Sequence, residues 1–324
     1  MDVGEYLRAS PADYPRHSWK ANSASQQRLR QRNNFLLFYA LARPTIRVMR
    51  HGYLILLAGF ALSGLAAEPP KSRTRAEVDA VLGKQQPAGF ALKPLRVCLV
   101  ASKQDHGPGE HDYPAWQTNW TKLLGNAPRV SVTNAWKWPE TFENIDVVVF
   151  YFWNHEWHTN QTHYQQLDEF LARGGGLVAL HSATIADNEP EKLAERVGLA
   201  FQPGKSKYRH GPLDLKLVAS ADEPITRSLP RQIQFVDESY WPMFGDANQV
   251  KLLATTNEEG KDWPMIWTYE KGRGRVFASI VGHYTWSYDD PLFRIIVLRG
   301  IAWTAREPVN RLERLAILGV KFAE

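Results

Sequence analysis

The chain is poor in cysteine, with Cys98 alone among 324 residues. A single cysteine excludes an intrachain disulfide framework and a CxxC zinc or redox motif. Any metal site must therefore use histidine and carboxylate ligands. Cys98 itself lies inside an apolar run of strand length, where we expect a packed thiol rather than a nucleophile.

Basic residues are not in excess over most of the chain. The formal net charge is +5, but residues 1–67 hold nine of the lysines and arginines against three acids. Residues 68–324 hold 30 basic and 31 acidic side chains. Binding to a phosphate backbone needs a basic face, so we expect no nucleic-acid partner.

The apolar stretch at 52–65 is short for a membrane span, which needs about 20 residues. It follows Met49-Arg50-His51 and precedes small residues and a polar segment, which is the order of a secretory signal. We therefore predict an upstream extension at 1–48 from an early start codon and a signal peptide at 49–67. The mature protein would be periplasmic or secreted. An uncleaved anchor is the alternative, and it would be the chain's one contact with a membrane.

Short β-branched runs alternate with helical patterns after a predicted polar linker at 68–93. Residues 95–101 and 146–152 have the pattern of buried strands, whereas 115–124 and 162–173 have that of helices. Such alternation predicts an α/β domain at 94–307, with a mainly parallel sheet and helices on both faces. A C-terminal tail, 308–324, follows this domain.

Histidines and acids follow the predicted strands. Ligands of open α/β sheets bind outside the carboxyl ends of the strands, so these residues are expected to meet at one edge. They come from five strand ends: His106 and His111, His155 and His158, His181, Asp237 and Glu238, and His283.

Imidazole and carboxylate groups in such a cluster fit zinc or a similar divalent ion that activates a water molecule. We predict His106 and His111 as metal ligands, together with His181 and His283. The same residues could instead act as a general acid and base without a metal. His155, His158 and His163 are expected to cap a strand and decorate the next helix. We expect no nucleotide cofactor.

Aromatic rings accumulate at the same edge, as they do where sugar faces stack on protein side chains. The alternative is an aromatic core beneath the loops. The predicted substrate-binding residues are Trp153, Asp237, Tyr240, Trp241, Tyr284, Trp286 and His210.

Residues 174–183 have the pattern of a strand-to-helix elbow, where other α/β enzymes place a Ser or Cys nucleophile. Here His181 stands at that position. Ser182 is its neighbour, but no Gly-x-Ser-x-Gly motif surrounds it, which argues against a serine hydrolase.

Five segments of the chain carry recognisable motifs. They are GPGEHDY at 107–113, the elbow at 174–182, KYRHG at 207–211, DESY at 237–240, and GRGRVF at 272–277 leading into Gly282-His283. Together they resemble the ThuA-like, trehalose-utilisation domain family over roughly residues 95–307. The resemblance implies the flavodoxin-like fold of class I glutamine amidotransferases.

Those amidotransferases use a Cys-His-Glu triad with the cysteine at the elbow. Because His181 replaces that cysteine, we expect no amidotransferase chemistry, although His283 falls where the resemblance puts the triad histidine. The family also implies metabolism of disaccharides and their 3-keto derivatives. We therefore expect a small carbohydrate as partner.

The expected function is hydrolysis or isomerisation of a keto-sugar or glycoside by an exported enzyme. His181 or His283 would activate water or a hydroxyl group, with Glu238 as its catalytic partner. A non-catalytic carbohydrate-binding or sensing protein is the alternative.

Overall fold

The computed structural model describes residues 67–83, 92–153 and 160–324. Its nine strands are β1 (Leu95–Ala101), β2 (Val130–Trp136), β3 (Val147–Phe150), β4 (Gly176–Leu180), β5 (Lys207–Leu217), β6 (Gln232–Trp241), β7 (Val250–Glu258), β8 (Lys261–Lys271) and β9 (Gly274–Ser279). The α-helices of these ranges are α1 (Arg75–Leu82), α2 (Tyr113–Gly125), α3 (Gln161–Ala172), α4 (Pro190–Val197) and α5 (Pro291–Thr304).

All nine strands belong to one sheet, in the order β2-β1-β3-β4-β9-β8-β7-β5-β6. Its pairs are parallel from β2 to β9 and antiparallel from β9 to β6. The α/β fold is confirmed, but the prediction of a mainly parallel sheet is wrong, because the sheet is mixed. Helices stop separating the strands after α4, and the two-residue links β7–β8 and β8–β9 allow only antiparallel pairing.

The parallel half of the sheet is covered on both faces. Every residue of β3 and β4 is buried, although successive side chains point to opposite faces. At Gly175, an added Cβ would lie 2.5 Å from the Phe170 ring of α3. At Gly176 it would lie 2.8 Å from the Thr304 carbonyl oxygen of α5. Glycine is required here because two helices approach the sheet backbone closely.

Two segments outside the predicted domain also pack on it. The predicted linker contains α1, which begins with a capping box formed by Thr74 and Glu77 and buries Val78 and Leu82 in the core. The C-terminal tail forms short 3-10 turns and buries Leu312. No helix in the described ranges is long and apolar enough to cross a membrane.

A buried ion pair joins α5 to the C-terminal tail. Arg299 Nε lies 2.7 Å from Glu313 Oε2, and the guanidinium also donates to the carbonyl oxygens of Ile225 and Arg227. Removing one partner of such a pair leaves a charge without compensation in the interior.

We predict that Glu313→Ala lowers the free energy of unfolding by about 3–5 kcal/mol, measured by urea denaturation. The matched control is Asp79→Ala, which breaks the exposed Arg75–Asp79 pair and should cost no more than about 0.5 kcal/mol. Equal losses in the two variants would contradict the prediction.

Candidate functional site

Four buried side chains converge at the carboxyl-end edge of the parallel strands. They are His111, His181, Glu238 and His283, and one ligand atom of each lies within 4.8 Å of the others. His111 comes from the loop after β1, His181 from the end of β4 and His283 from the segment after β9, as the sequence predicts. Glu238 comes from within β6.

His181 occupies the predicted elbow. It has a positive φ of 47° and begins a short 3-10 helix directly after β4. This conformation is unfavourable for a residue other than glycine, and such strain persists where the surroundings hold it. It directs the imidazole into the cluster, where the side chain is completely buried.

The loop after β1 is attached to the segment that carries His283. The His111 N–H donates to the His283 carbonyl oxygen at 3.0 Å, and the Thr285 N–H donates to the Gly109 carbonyl oxygen at 2.9 Å. His111 also has a positive φ, 44°. These backbone contacts bring two segments far apart in sequence into one site.

The hydrogen bonds of two imidazoles fix their tautomers. His181 Nδ1 lies 2.6 Å from the Ile280 carbonyl oxygen, which can only accept, so Nδ1 carries the hydrogen. His111 Nδ1 lies 2.7 Å from Asp105 Oδ1 and 2.8 Å from the Tyr113 hydroxyl oxygen. The carboxylate can only accept, so it favours a hydrogen on this Nδ1 as well. In the neutral rings both Nε2 atoms therefore present lone pairs, and these atoms are only 2.8 Å apart.

His283 and Glu238 complete the cluster. His283 Nδ1 lies 3.1 Å from Glu238 Oε2 and 3.3 Å from His181 Nε2. The Tyr240 hydroxyl donates to Glu238 Oε2 at 2.9 Å. His283 Nε2 is buried without a hydrogen-bond partner among the described residues. The carboxylate is thus surrounded by imidazole nitrogens and one phenol.

Burial and neighbouring charges set the protonation of these groups. Burial lowers the pKa of His111 to about 3, despite its hydrogen bond to Asp105. Burial alone would raise the pKa of Glu238, but the imidazoles of His181 and His283 hold it well below its usual range. Burial would lower the pKa of His283, but Glu238 outweighs it and raises that pKa. His111 is therefore neutral, and Glu238 is ionised beside His283.

The donor atoms fit a divalent cation. Ligand atoms of a tetrahedral zinc site with bonds near 2.0–2.1 Å are roughly 3.4 Å apart. Among the cluster atoms, His181 Nε2 lies 3.3 Å from both Glu238 Oε2 and His283 Nδ1. Two distances are shorter, at 3.1 Å between His283 Nδ1 and Glu238 Oε2 and 2.8 Å between the Nε2 atoms of His111 and His181. The second ring nitrogens of His111 and His181 also donate to an acceptor, which is the usual support of metal-binding histidines.

Strand β6 directs its site residues to two faces of the sheet. Glu238 pairs with His210 and Tyr240 pairs with Tyr208 across the β5–β6 ladder, so these four share a face. Asp237 and Trp241 alternate with them and belong to the other face. The sequence pattern places Asp237 and Glu238 after a strand, but β6 continues through Trp241, and this length produces the alternation.

The Asp237 carboxylate accepts hydrogen bonds from the backbone and does not face open space. Its Oδ1 accepts from the N–H groups of Glu238 at 2.7 Å and His283 at 3.1 Å, and both oxygens lie 3.1 Å from the Gly282 nitrogen. The Ser287 hydroxyl donates to Oδ2. The structure therefore shows Asp237 holding the segment that carries His283.

The other predicted residues surround the cluster. His106 shares Asp105 with His111, and its side chain is about one-third exposed. Trp153 lies 6.3 Å from the His106 ring, between ring centroids. The Tyr284 ring stacks on Trp286 at 4.1 Å, and its hydroxyl lies 3.1 Å from His210 Nδ1. His106 and His210 thus form the accessible side of the site.

A cavity of about 560 Å³ lies elsewhere. Most of the side chains that line it belong to α2 or lie between residues 285 and 319. None of the four cluster residues lines it. The cluster, with its converging titratable groups, is the better candidate because a cavity by itself supplies no chemistry.

Sequence reasoning did not assign roles to three supporting groups: Asp105, Tyr113 and the Ile280 carbonyl. The Tyr113 hydroxyl donates to Asp105 Oδ2 at 3.1 Å. Asp105 could have been identified from the sequence, because it is a carboxylate in the same loop as His111. The Ile280 carbonyl carries no side-chain signal. His155 and His158 lie outside the described residues, whereas His163 lies in α3 with its ring stacked on Trp138 at 4.2 Å.

Fold and site together define an α/β protein with a buried histidine–carboxylate centre at the end of its parallel strands. The chain matches the family model ThuA, described as trehalose utilisation, over residues 98–304. It therefore belongs to the ThuA family. The resemblance found in the sequence is confirmed.

Solved structures agree on the fold. A ThuA-like protein from Parabacteroides merdae shares 21% identity at a TM-score of 0.54, covering 66% of this chain and 90% of its own. A ThuA-like protein from Bacteroides uniformis shares 16% identity at a TM-score of 0.54, covering 70% and 99%. No curated protein matches this chain.

We predict that Asp237→Asn lowers the free energy of unfolding by about 1–3 kcal/mol, since an amide nitrogen cannot accept the N–H and hydroxyl bonds of the carboxylate. Asp214→Asn is the matched control, because Asp214 is exposed on the neighbouring strand β5. Chemical denaturation of both variants is the measurement. An Asp237→Asn protein as stable as the control would contradict the role of Asp237 in holding the segment that carries His283.

Proposed function

We propose that this protein is a carbohydrate-processing enzyme that hydrolyses or isomerises a disaccharide or 3-keto-sugar at the His111–His181–His283–Glu238 cluster. A divalent ion such as zinc would be held by the three imidazoles. The observation that carries the proposal is the pair of buried Nε2 lone pairs, 2.8 Å apart on His111 and His181.

A cation between the two nitrogens would relieve the repulsion of their facing lone pairs. A proton shared by the two rings is one solution, and it corresponds to metal-free acid–base chemistry. Burial disfavours a charged imidazole at His111, whereas a metal ion bound by neutral imidazoles suits the same environment. His283 Nδ1, at 3.3 Å from His181 Nε2, would be the third imidazole ligand of such an ion once it has lost its hydrogen.

Bound there, the ion would polarise a sugar carbonyl or lower the pKa of a bound water molecule. Glu238 is ionised and would accept the proton from that water, or from the carbon or hydroxyl group of a keto-sugar. The Tyr240 hydroxyl, 2.9 Å from Glu238 Oε2, would fix the carboxylate's direction. His181 and His283 would thereby contribute by holding the ion, whereas Glu238 would contribute by accepting the proton.

The surroundings of the cluster suit a sugar. Its accessible side carries His106, His210 and the rings of Trp153 and Tyr284, which combine polar atoms with flat apolar faces. The family description, trehalose utilisation, supports the same substrate class. With the signal-like segment at 49–67, we place the reaction in the periplasm or outside the cell.

One observation favours a carbohydrate-binding or sensing protein instead. Glu238 Oε2 lies close enough to His181 and His283 to be a fourth ligand. Four protein ligands close a tetrahedral site and leave no position for water, which is typical of structural metals. The two functions therefore differ in whether Glu238 binds the ion or serves as the proton acceptor.

We predict about one equivalent of a divalent metal per chain, measured by elemental analysis of protein purified without chelator. His111→Ala, His181→Ala and His283→Ala should each lose the metal, because each removes a ligand. His163→Ala is the matched control and should keep it, since His163 lies in α3 with its ring stacked on Trp138. A metal-free parent, or metal kept in all three variants, would refute the metal site.

We predict that Glu238→Gln lowers kcat by about 10²–10⁴-fold while metal content and sugar binding persist. The assay is turnover of trehalose, 3-keto-trehalose and related glycosides. Glu110→Gln is the matched control, because Glu110 is partly exposed and lies 3.7 Å from His283 Nε2. Sugar binding without turnover by the parent would favour the binding protein, and equal losses in both variants would exclude Glu238 as the proton acceptor.

A further inference from the structure

An exposed tyrosine stands beside the site without a structural task. Among the described residues, the exposed large hydrophobic side chains are Trp136, Tyr208 and Leu318, at 52%, 58% and 42% of their surface. Single exposed rings are common on protein surfaces, so the position of each of these three residues decides whether it bears on the site. Trp136 ends the edge strand β2, at the opposite end of the sheet order from β5, and Leu318 lies in the C-terminal tail.

Strand register places Tyr208 on the same face as the catalytic carboxylate. Tyr208 is opposite Tyr240, and His210 is opposite Glu238. Residues directly opposite in an antiparallel pair share a face, and alternate residues along one strand do as well. The face thus runs from the buried Glu238 to the half-exposed His210 and then to Tyr208.

The rings along this face form a continuous path out of the cluster. The His283 and His210 rings are 4.6 Å apart, and the His210 and Tyr208 rings are 5.5 Å apart at an interplanar angle of 88°. Tyr208 is therefore no more than about 10 Å from His283, since the two steps are 4.6 and 5.5 Å. One pyranose ring at the cluster would leave Tyr208 free, whereas a second, linked ring would reach it.

The charged side chains that flank Tyr208 on β5 are turned away from this path. Arg209 pairs with Glu258 and Lys207 pairs with Glu259, and both residues alternate with Tyr208 and His210 along the strand. The face beside Tyr208 thus offers an aromatic ring and an imidazole, which suit a neutral ligand rather than an anion.

We propose that Tyr208 is the platform of a second sugar subsite, so that the natural ligand is a neutral disaccharide or longer glycoside rather than a monosaccharide. The inference rests on the proposed carbohydrate function and adds the length of its ligand. Tyr208 contacts the ring that is remote from the reacting atoms and determines specificity for chain length.

The test is calorimetric titration of the full chain with trehalose and glucose, and with 3-keto-trehalose and 3-keto-glucose. Tyr208→Ala should weaken binding of the disaccharides about threefold to tenfold, as expected for one lost stacking contact, and leave the monosaccharides unchanged. Tyr208→Phe should restore disaccharide binding, because it keeps the ring. Trp136→Ala, which removes an exposed ring far along the sheet, is the matched control and should change neither.

Each other outcome overturns a defined part of the proposal. Parent protein that binds none of these sugars would overturn the carbohydrate function and the subsite with it. Parent protein that binds disaccharides unaffected by Tyr208→Ala would overturn the subsite alone. Equal weakening of disaccharides and monosaccharides would show that Tyr208 supports the primary site. Dissociation of an oligomer in Tyr208→Ala, seen by light scattering with unchanged sugar binding, would assign Tyr208 to contact between copies.

Discussion

The close approach of His111 Nε2 and His181 Nε2 is the constraint on which the rest of the site depends. Two buried acceptors 2.8 Å apart are unfavourable together. The fold nevertheless imposes this arrangement, because Asp105 and the Ile280 carbonyl each fix an Nδ1–H. Coordination of a zinc ion, worth about 10–16 kcal/mol in small structural sites, would outweigh that cost.

The mixed sheet explains how nitrogen and oxygen ligands come to one place. The parallel half ends in loops that present imidazoles, as in other open α/β sheets. The carboxylate comes from the antiparallel extension, where the β5–β6 ladder pairs Glu238 with His210. Asp237 connects the halves, because it lies in β6 and accepts from the backbone N–H groups of Gly282 and His283, which follow β9. The antiparallel strands are therefore part of the site and not an appendage to the domain.

The local sequence pattern predicted those site residues whose positions depend on where a strand ends. Apolar runs followed by histidine identified His111, His181 and His283, because strand ends define the edge of the sheet. It could not separate His106 from His111, since both lie in one Gly/Pro loop. What separates them is the long-range bond from the His111 N–H to the His283 carbonyl oxygen, which buries one ring and leaves the other partly exposed. Which face of the sheet Glu238 and Trp241 occupy likewise depends on how far β6 extends. The polar residues at 237–239 hid this length, because they suggested that the strand had already ended.

Glu238 links the buried centre to the accessible side, and this position bears on whether the protein catalyses or only binds. Its Oε2 faces His181, His283 and the Tyr240 hydroxyl. Its Oε1 lies 3.3 Å from His210 Nε2, and the His210 side chain is 36% exposed. A contact with His210 would orient the carboxylate in either role, because carboxylates that bind metals are usually held by a second partner as well. In the proposed reaction the same contact would have a second use, because His210 could pass a proton taken up by Glu238 to solvent.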